Sequence, residues 1–228
     1  MRLSALVSIV VVCTVGCAQP GPSRAPETPS PATATGSGRI DPSRIDRVRG
    51  ELPPGYEVAG ADGVPVPTGL WGFPAGSAAD PAQCLGLIDP ADAVVDPAAA
   101  RGFSGSGAGG IVYVVVAPGT GAFEPALPTE CGRWTLAGAH SWADVTLTES
   151  PAIADAVTVG VSAVIRTVVE SGTETDSAAH TFVAYLADHR VFVTLVTDPG
   201  STSPPLAPDF AADLLARTVS VLRGESGS

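Results

Sequence analysis

The last third of the chain alternates apolar and polar residues with the period of two that is typical of β-strands. Residues 161–170, 178–187 and 190–197 form three such segments, and Asp188-His189 predicts a tight two-residue turn between the last two. We therefore predict a three-stranded antiparallel meander. Its register places three pairs on one apolar face: Leu186 with Val191, Ala184 with Val193 and Phe182 with Leu195. We assign four further side chains to this face: Val161, Ala163, Ile165 and Val169.

The opposite face of the predicted meander is also apolar. It would carry Val183, Tyr185 and Phe192, together with Val164 and Val196. A solvated face of an antiparallel sheet is normally more polar than this, so we expect something to cover it. A covering helix is one alternative. A bound ligand is the other, and it would make Tyr185, Phe192 and Val183 candidate ligand-binding residues.

A fourth strand and three helices are predicted from shorter patterns. Residues 111–117 (IVYVVVA) are mostly β-branched and lie between a Gly-Gly and a Pro-Gly pair. Helix-start signals occur at Asp41-Pro42-Ser43, at Asp80-Pro81 and at Pro208-Asp209, where an apolar stripe at helical spacing follows. These elements predict an α+β fold, in which an antiparallel sheet packs against N- and C-terminal helices.

The first 17 residues have the organisation of a cleavable bacterial signal peptide. Arg2 gives a short positive region, and residues 3–15 form an apolar run shorter than the roughly 20 residues that a membrane-spanning helix needs. The run leads to Gly16-Cys17, which resembles the lipobox whose cysteine receives a diacylglycerol. We expect a lipid on Cys17 to anchor the exported protein to the outer face of the plasma membrane. The alternatives are an uncleaved anchor and an ordinary signal peptide.

Residues 18–38 consist largely of Pro, Ser, Thr, Ala and Gly, with almost no large apolar side chain. Such a segment cannot bury enough surface to offset the entropy of ordering it, so we predict a disordered tether. The following residues, 39–225, are then a single extracytoplasmic domain.

Two cysteines remain in this domain, Cys84 and Cys131. An even pair in an exported domain indicates one disulfide, and two free thiols are the alternative. The sequence has no CxxC or HxxxH spacing and its three histidines are scattered, so no metal or other cofactor is predicted.

The net charge and the short motifs of the sequence argue against several classes of function. A formal net charge of −11 disfavours nucleic-acid binding, because an acidic surface repels phosphates.

Residues 105–110 spell GxGxxG, but they precede a predicted strand instead of following one, so we predict a flexible loop. His140 lies near Ser141 and Asp144, yet local clustering is not triad geometry. We expect a non-enzymatic protein, with a hydrolase using His140 as the least favoured alternative.

Residues 40–45 (IDPSRI) and 52–58 (LPPGYEV), together with the lipid-accepting cysteine and the tether, resemble mycobacterial lipoproteins that carry an uncharacterised extracytoplasmic domain. More distantly, residues 39–225 resemble the extracellular sensor domain of the mycobacterial receptor kinase PknH. That resemblance implies an antiparallel sheet with helices, a central cleft and disulfides, of which this chain can form one. It carries over no site residues.

Taken with the resemblance, the sequence favours a cell-envelope lipoprotein whose domain binds a small or lipid-like ligand or another envelope protein. The alternative is a structural or antigenic surface lipoprotein without a ligand.

Overall fold

The computed structural model of the protein describes residues 39–61, 66–90, 99–119, 123–169, 171–197 and 199–225. The predicted signal peptide, Cys17 and the predicted tether lie outside these residues. The strands are β1 (Glu57–Gly60), β2 (Ala78–Asp80), β3 (Arg101–Gly107), β4 (Gly110–Pro118), β5 (Arg133–Ala137), β6 (Ser141–Thr148), β7 (Val157–Val168), β8 (Glu174–Tyr185) and β9 (His189–Val196). The α-helices are α1 (Pro67–Leu70), α2 (Leu127–Glu130) and α3 (Pro208–Arg223), and the 3₁₀ helices are η1 (Pro42–Glu51) and η2 (Ala82–Leu87). None of the helices in these ranges is long and apolar enough to cross a membrane.

The nine strands form one antiparallel sheet in the order β1-β3-β4-β9-β8-β7-β6-β5-β2. The predicted meander is β7-β8-β9 at the centre of this sheet, and the predicted strand at 111–117 lies within β4, beside β9. The structure therefore confirms the predicted α+β class with its antiparallel sheet and its helices.

One face of the sheet is covered by α3 and η1, which pack on strands β3, β4, β8 and β9. Helix α3 begins with Pro208 and ends before Gly224, whose φ of 77° suits a glycine at that position. The predicted helix at Asp41-Pro42-Ser43 is the 3₁₀ helix η1, in which the Asp41 side chain accepts a hydrogen bond from the Ser43 amide. The buried side chains of α3 are Ala211, Leu214, Leu215, Thr218, Val219 and Leu222.

The predicted register of the β8–β9 hairpin is wrong by one residue on each strand. The Leu186 amide bonds to the His189 carbonyl, so the turn is Ala187-Asp188 and Phe182 pairs with Val193. Because each residue of β8 pairs with the residue of β9 two positions before its predicted partner, every side chain stays on its predicted face. The alternating pattern therefore determined the faces, whereas the geometry of the turn determined the pairing.

The predicted face of β7 is also wrong. Val161 pairs with Thr181, Ala163 with Ala179 and Ile165 with Ser177. All three of these β7 side chains join the core that contains Tyr185 and Phe192. The reason is the pairing of Gly160 with Phe182, which places the even-numbered positions of β7 on the side of α3. Those positions are mixed, because Thr158, Ser162 and Arg166 alternate there with Gly160, Val164 and Val168, so the face of β7 that meets α3 is set by its pairing with β8.

The glycine-rich segment at 105–110 is not a flexible loop. Residues 101–107 form β3, which pairs with β4 through a turn at residues 108–109. A Cβ on Gly105 would lie 2.3 Å from a Leu52 side-chain carbon, and one on Gly107 would lie 2.4 Å from the Tyr56 ring. These glycines therefore let Leu52 and Tyr56, the first and last residues of the Leu-Pro-Pro-Gly-Tyr segment, pack directly on the backbone of β3.

The second face of the sheet is covered by α1, η2 and α2, through a core that includes Trp71, Phe73, Leu87, Ile88 and Leu127. Within this core Cys84 of η2 and Cys131, directly after α2, are fully buried and form a disulfide with an S–S distance of 2.06 Å. The predicted pairing of these cysteines is confirmed.

Candidate functional site

A cleft of about 680 Å³ lies between α1, the loop that follows it and the end of η2. This volume is in the range of small-molecule sites in proteins. Among the lining residues Asp89 alone is ionisable. The lining residues are Val66, Thr68, Gly69, Phe73, Pro74, Ala75, Gly76, Ser77, Leu85, Asp89, Pro90 and Leu136.

The α1 wall of the cleft is attached to the sheet by a buried chain of hydrogen bonds. The indole N–H of Trp71, directly after α1, donates to the hydroxyl of Thr181 at 3.1 Å. The Thr181 and Thr194 hydroxyls are 2.9 Å apart across β8 and β9. Since Thr181 and Thr194 are fully buried, this chain fixes the position of a short helix that has only four residues of its own.

The two walls of the cleft meet at Thr68 and Asp89. Oδ2 of Asp89 accepts hydrogen bonds from the Thr68 amide, at 3.2 Å, and from the Thr68 hydroxyl. Oδ1 of Asp89 is buried and has no hydrogen-bond partner among the described residues. Burial raises the pKa of Asp89 to about 6, although the Thr68 hydrogen bonds and the charge of Arg190 act in the opposite direction.

The end of η2 is held by two long side chains from the sheet. The Tyr185 hydroxyl donates to the Leu87 carbonyl at 2.7 Å, and Nη1 of Arg190 donates to the Ile88 carbonyl at 2.8 Å. These bonds satisfy carbonyl groups that a helix end leaves without an intrahelical partner. Arg190 is 2% exposed, and its Nε has no partner within the described part of the chain. The sheet therefore positions Asp89 through the backbone that precedes it.

The three residues proposed from sequence to bind a ligand are covered by protein. Val183, Phe192 and Tyr185 are 0%, 1% and 8% exposed, and they belong to the core under α1 and η2. These side chains therefore do not line an open ligand cleft, because the short helices α1 and η2 cover this face of the sheet. Tyr185 instead supports the adjacent cleft by holding the carbonyl of Leu87.

Sequence reasoning missed Thr68, Asp89 and Arg190. Arg190 is the first residue of a predicted strand, and Asp89-Pro90 follows the predicted helix that starts at Asp80-Pro81. One signal was available, since both charged residues directly adjoin apolar residues: Ile88 precedes Asp89, and Val191, which lies on the predicted apolar face, follows Arg190. A charged residue that is buried in such a setting requires a partner.

Residues 41–223 match the profile of DUF5642, a domain of unknown function. The chain belongs to the DUF5642 family. A search among curated proteins finds no match. A solved structure with similarity to this DUF5642 protein is the X-ray structure of a putative uncharacterized protein, an Rv0999 ortholog, from Mycobacterium smegmatis. The TM-score is 0.57 at 22% sequence identity, and the match covers 82% of this chain and 99% of that chain. This likeness shows a shared fold.

His140 of the DUF5642 domain does not form a catalytic network with Ser141 and Asp144 in the structure. His140 is exposed in the turn before β6, and the Ser141 hydroxyl lies 2.9 Å from the hydroxyl of Thr167. Between His140 and either Ser141 or Asp144, all of which the structure describes, no side-chain hydrogen bond is present. The described ranges also contain no group of three or more His, Cys, Asp or Glu residues that could hold a metal ion.

Another exposed surface of the DUF5642 domain lies on the α3 side of the sheet. Strands β5, β6 and β7 present exposed side chains there, including Trp142 at 39% and Val164 at 56% exposure. The Arg166 guanidinium lies 5.6 Å from the centre of the Trp142 ring and pairs with Asp176 at 3.0 Å. Most neighbouring positions are polar, which is typical of a solvated sheet face. We therefore take the Asp89 cleft as the candidate site.

Proposed function

We propose that this protein is a non-enzymatic lipoprotein of the cell envelope, whose domain binds a small, largely apolar ligand in the cleft between α1 and η2. Export and anchoring are supported by the apolar run of residues 3–15 followed by Gly16-Cys17. The Cys84–Cys131 disulfide agrees with an oxidising compartment outside the cytoplasm.

The observation that carries the proposed binding function is the composition of the cleft. Its walls combine apolar side chains, such as Phe73, Leu85 and Leu136, with one buried carboxyl group at Asp89. Small-molecule sites commonly have this composition, because apolar walls provide affinity and a few polar groups provide orientation. A sensor-like role, as in the PknH resemblance, would use such a site to report the presence of the ligand.

A thermal-shift and calorimetric screen of the purified domain tests this function. The screen uses lipid extracts of the cell envelope and a panel of drug-sized apolar molecules. We expect at least one compound to raise the melting temperature and to bind with a stoichiometry near one. The structural or antigenic alternative, a lipoprotein without a ligand, predicts no saturable binding.

A cleft-filling variant assigns any binding to this site. Ala75 lies in the cleft wall and is exposed, so Ala75→Trp should fill part of the cleft without disturbing the core. Binding should weaken at least tenfold in this variant. The matched control is Ala207→Trp, at an exposed position before α3, which should bind as the wild type does. Equal binding by both variants would remove the cleft from the proposal.

A further inference from the structure

We infer that the ligand of this cleft is a neutral, largely apolar molecule that donates one hydrogen bond, from a hydroxyl or an amide N–H, to the carboxylate of Asp89. The inference rests on the proposed binding function and specifies the chemical class of the ligand. It follows from the hydrogen bonds of Asp89, from the charge around it and from the composition of the cleft walls.

The carboxylate of Asp89 has a free acceptor. Thr68 supplies two donors, and both act on Oδ2. Oδ1 is buried and accepts no hydrogen bond from any residue that the structure describes. A buried acceptor without a partner is unfavourable. A ligand donor that reaches it therefore gains more binding free energy than the same donor would gain at a solvated carboxylate. The site therefore selects ligands with a hydrogen-bond donor.

The charge next to Asp89 favours a neutral donor. Arg190 is buried, donates to the carbonyl of the residue directly before Asp89, and lowers the pKa of Asp89 by its positive charge. The ionised Asp89 and Arg190 thus compensate each other before any ligand arrives. An ammonium ligand would add an uncompensated positive charge to a buried region, and an anionic ligand would face the carboxylate. A hydroxyl or amide ligand avoids both costs.

The other polar groups of the cleft wall are already engaged. The Ser77 hydroxyl donates to the Pro74 carbonyl at 2.8 Å, and the Thr68 hydroxyl donates to Asp89. The remaining side chains of the lining are apolar or absent, as in Phe73, Leu85 and Gly69. Beyond its single donor, the ligand should therefore present hydrocarbon or aromatic surface.

Three matched probes test the inference on the purified, disulfide-bonded domain: 4-phenylbutan-1-ol, its methyl ether, and 4-phenylbutylamine, which is a cation at neutral pH. Their dissociation constants are measured by calorimetry at pH 7.5. We expect the alcohol to bind about tenfold more tightly than the ether, because only the alcohol donates a hydrogen bond. We expect the ammonium probe to bind more weakly than the alcohol.

A double variant removes the acceptor and its partner together. Thr68→Val with Asp89→Leu removes the acceptor together with the hydroxyl that bonds to it, so that no unpaired Thr68 hydroxyl remains, and it leaves the buried Arg190 without its compensating charge. The preference for the alcohol over the ether should fall from about tenfold to less than twofold, while the ether keeps its affinity within threefold. Asp144→Leu, at an exposed carboxylate on β6, is the control and should keep the tenfold preference.

The outcomes separate this inference from the proposed function. Equal binding of alcohol and ether by the wild type, or tightest binding by the ammonium probe, would overturn the neutral-donor inference and leave the binding function standing. Loss of the alcohol's preference in Asp144→Leu would also overturn it. Absence of binding by all three probes, together with a negative result in the lipid screen, would overturn the binding function itself. The wild-type comparison decides the inference even if the double variant does not fold.

Discussion

The indole N–H of Trp71 donates to the hydroxyl of Thr181 at 3.1 Å, although the two residues are 110 positions apart in the chain. This bond connects a four-residue helix at the cleft to the central strand β8. Trp71→Phe should lower the free energy of unfolding by about 2 kcal/mol, through the lost hydrogen bond and the smaller ring. Urea unfolding measures the change.

Trp142→Phe is the matched control for this prediction. Trp142 is 39% exposed on β6, so the same substitution should change the free energy of unfolding by less than about 0.5 kcal/mol. Similar losses in both variants would contradict an anchoring role for the Trp71 hydrogen bond.

The stability of the protein should depend on pH through Asp89. Its folded pKa of about 6 lies above the ordinary value of 3.8, so the folded state binds the proton more tightly than the unfolded state does. The resulting stability is present below pH 4 and is lost as the pH rises through 6, with a magnitude of roughly 2 to 3 kcal/mol.

Asp89→Asn should remove this contribution. The difference between the unfolding free energies of wild type and variant should therefore change between pH 4 and pH 7.5, with the wild type losing stability relative to the variant as the pH rises. Asp144→Asn, at an exposed carboxylate, should follow the wild-type curve. Parallel curves for wild type and Asp89→Asn would show that Asp89 titrates normally.

Phe192 should be important for stability because protein covers it. Phe192→Ala should cost about 3 to 5 kcal/mol, since the side chain is 1% exposed in the core under η2. Val164→Ala, at a position that is 56% exposed, should cost less than about 0.5 kcal/mol. A small effect of Phe192→Ala in urea unfolding would reopen the question of a ligand at this face.

The disulfide should contribute strongly to stability. Cys84 and Cys131 are 47 positions apart. In the chain-entropy model, a disulfide that closes a loop of that size raises the free energy of unfolding by about 4 kcal/mol. The double variant with alanine at both positions should show a corresponding fall in the free energy of unfolding. Mass spectrometry of non-reduced peptides should link the two cysteines, and alkylation of both thiols without a reductant would contradict the pairing.

Lipid anchoring is tested at Cys17. Cys17→Ala should prevent lipid attachment, so that the protein either is released, and then moves out of the detergent phase in a phase-partition experiment, or accumulates as a larger precursor that keeps residues 1–16. Cys13→Ala is the control, because bulky Val12 precedes Cys13 where a lipobox has a small residue. A Cys17→Ala protein of mature size that still partitions into detergent as the wild type does would end the lipoprotein proposal.

The sequence predicted the architecture better than it predicted the site. Alternation alone placed Phe182 and Val193 on one face and Val183 and Phe192 on the other, and cysteine parity predicted the disulfide. The phase of β7 was wrong, because a strand pattern does not reveal how a hairpin aligns it with the next strand. Strand β3 was missed, because its glycines match a loop until the packing of Leu52 and Tyr56 is known.

The Asp89 cleft could not be predicted from local patterns. Thr68 and Asp89 are 21 positions apart, and Arg190 is about a hundred positions further along the chain. Only the folded sheet brings these residues together, through Tyr185 and Arg190 on β8 and β9. A site that is built from isolated polar residues in otherwise apolar segments gives no periodic or motif signal in one sequence.

The two outermost strands of the sheet have a consequence for the protein at high local density. Strands β1 and β2 have four and three residues, and each carries an acidic residue, Glu57 and Asp80. Long, flat sheet margins recruit strands from other molecules, whereas short and charged margins resist such recruitment. The large sheet is thereby protected against edge-to-edge aggregation, so many copies can be crowded together while each keeps its own fold.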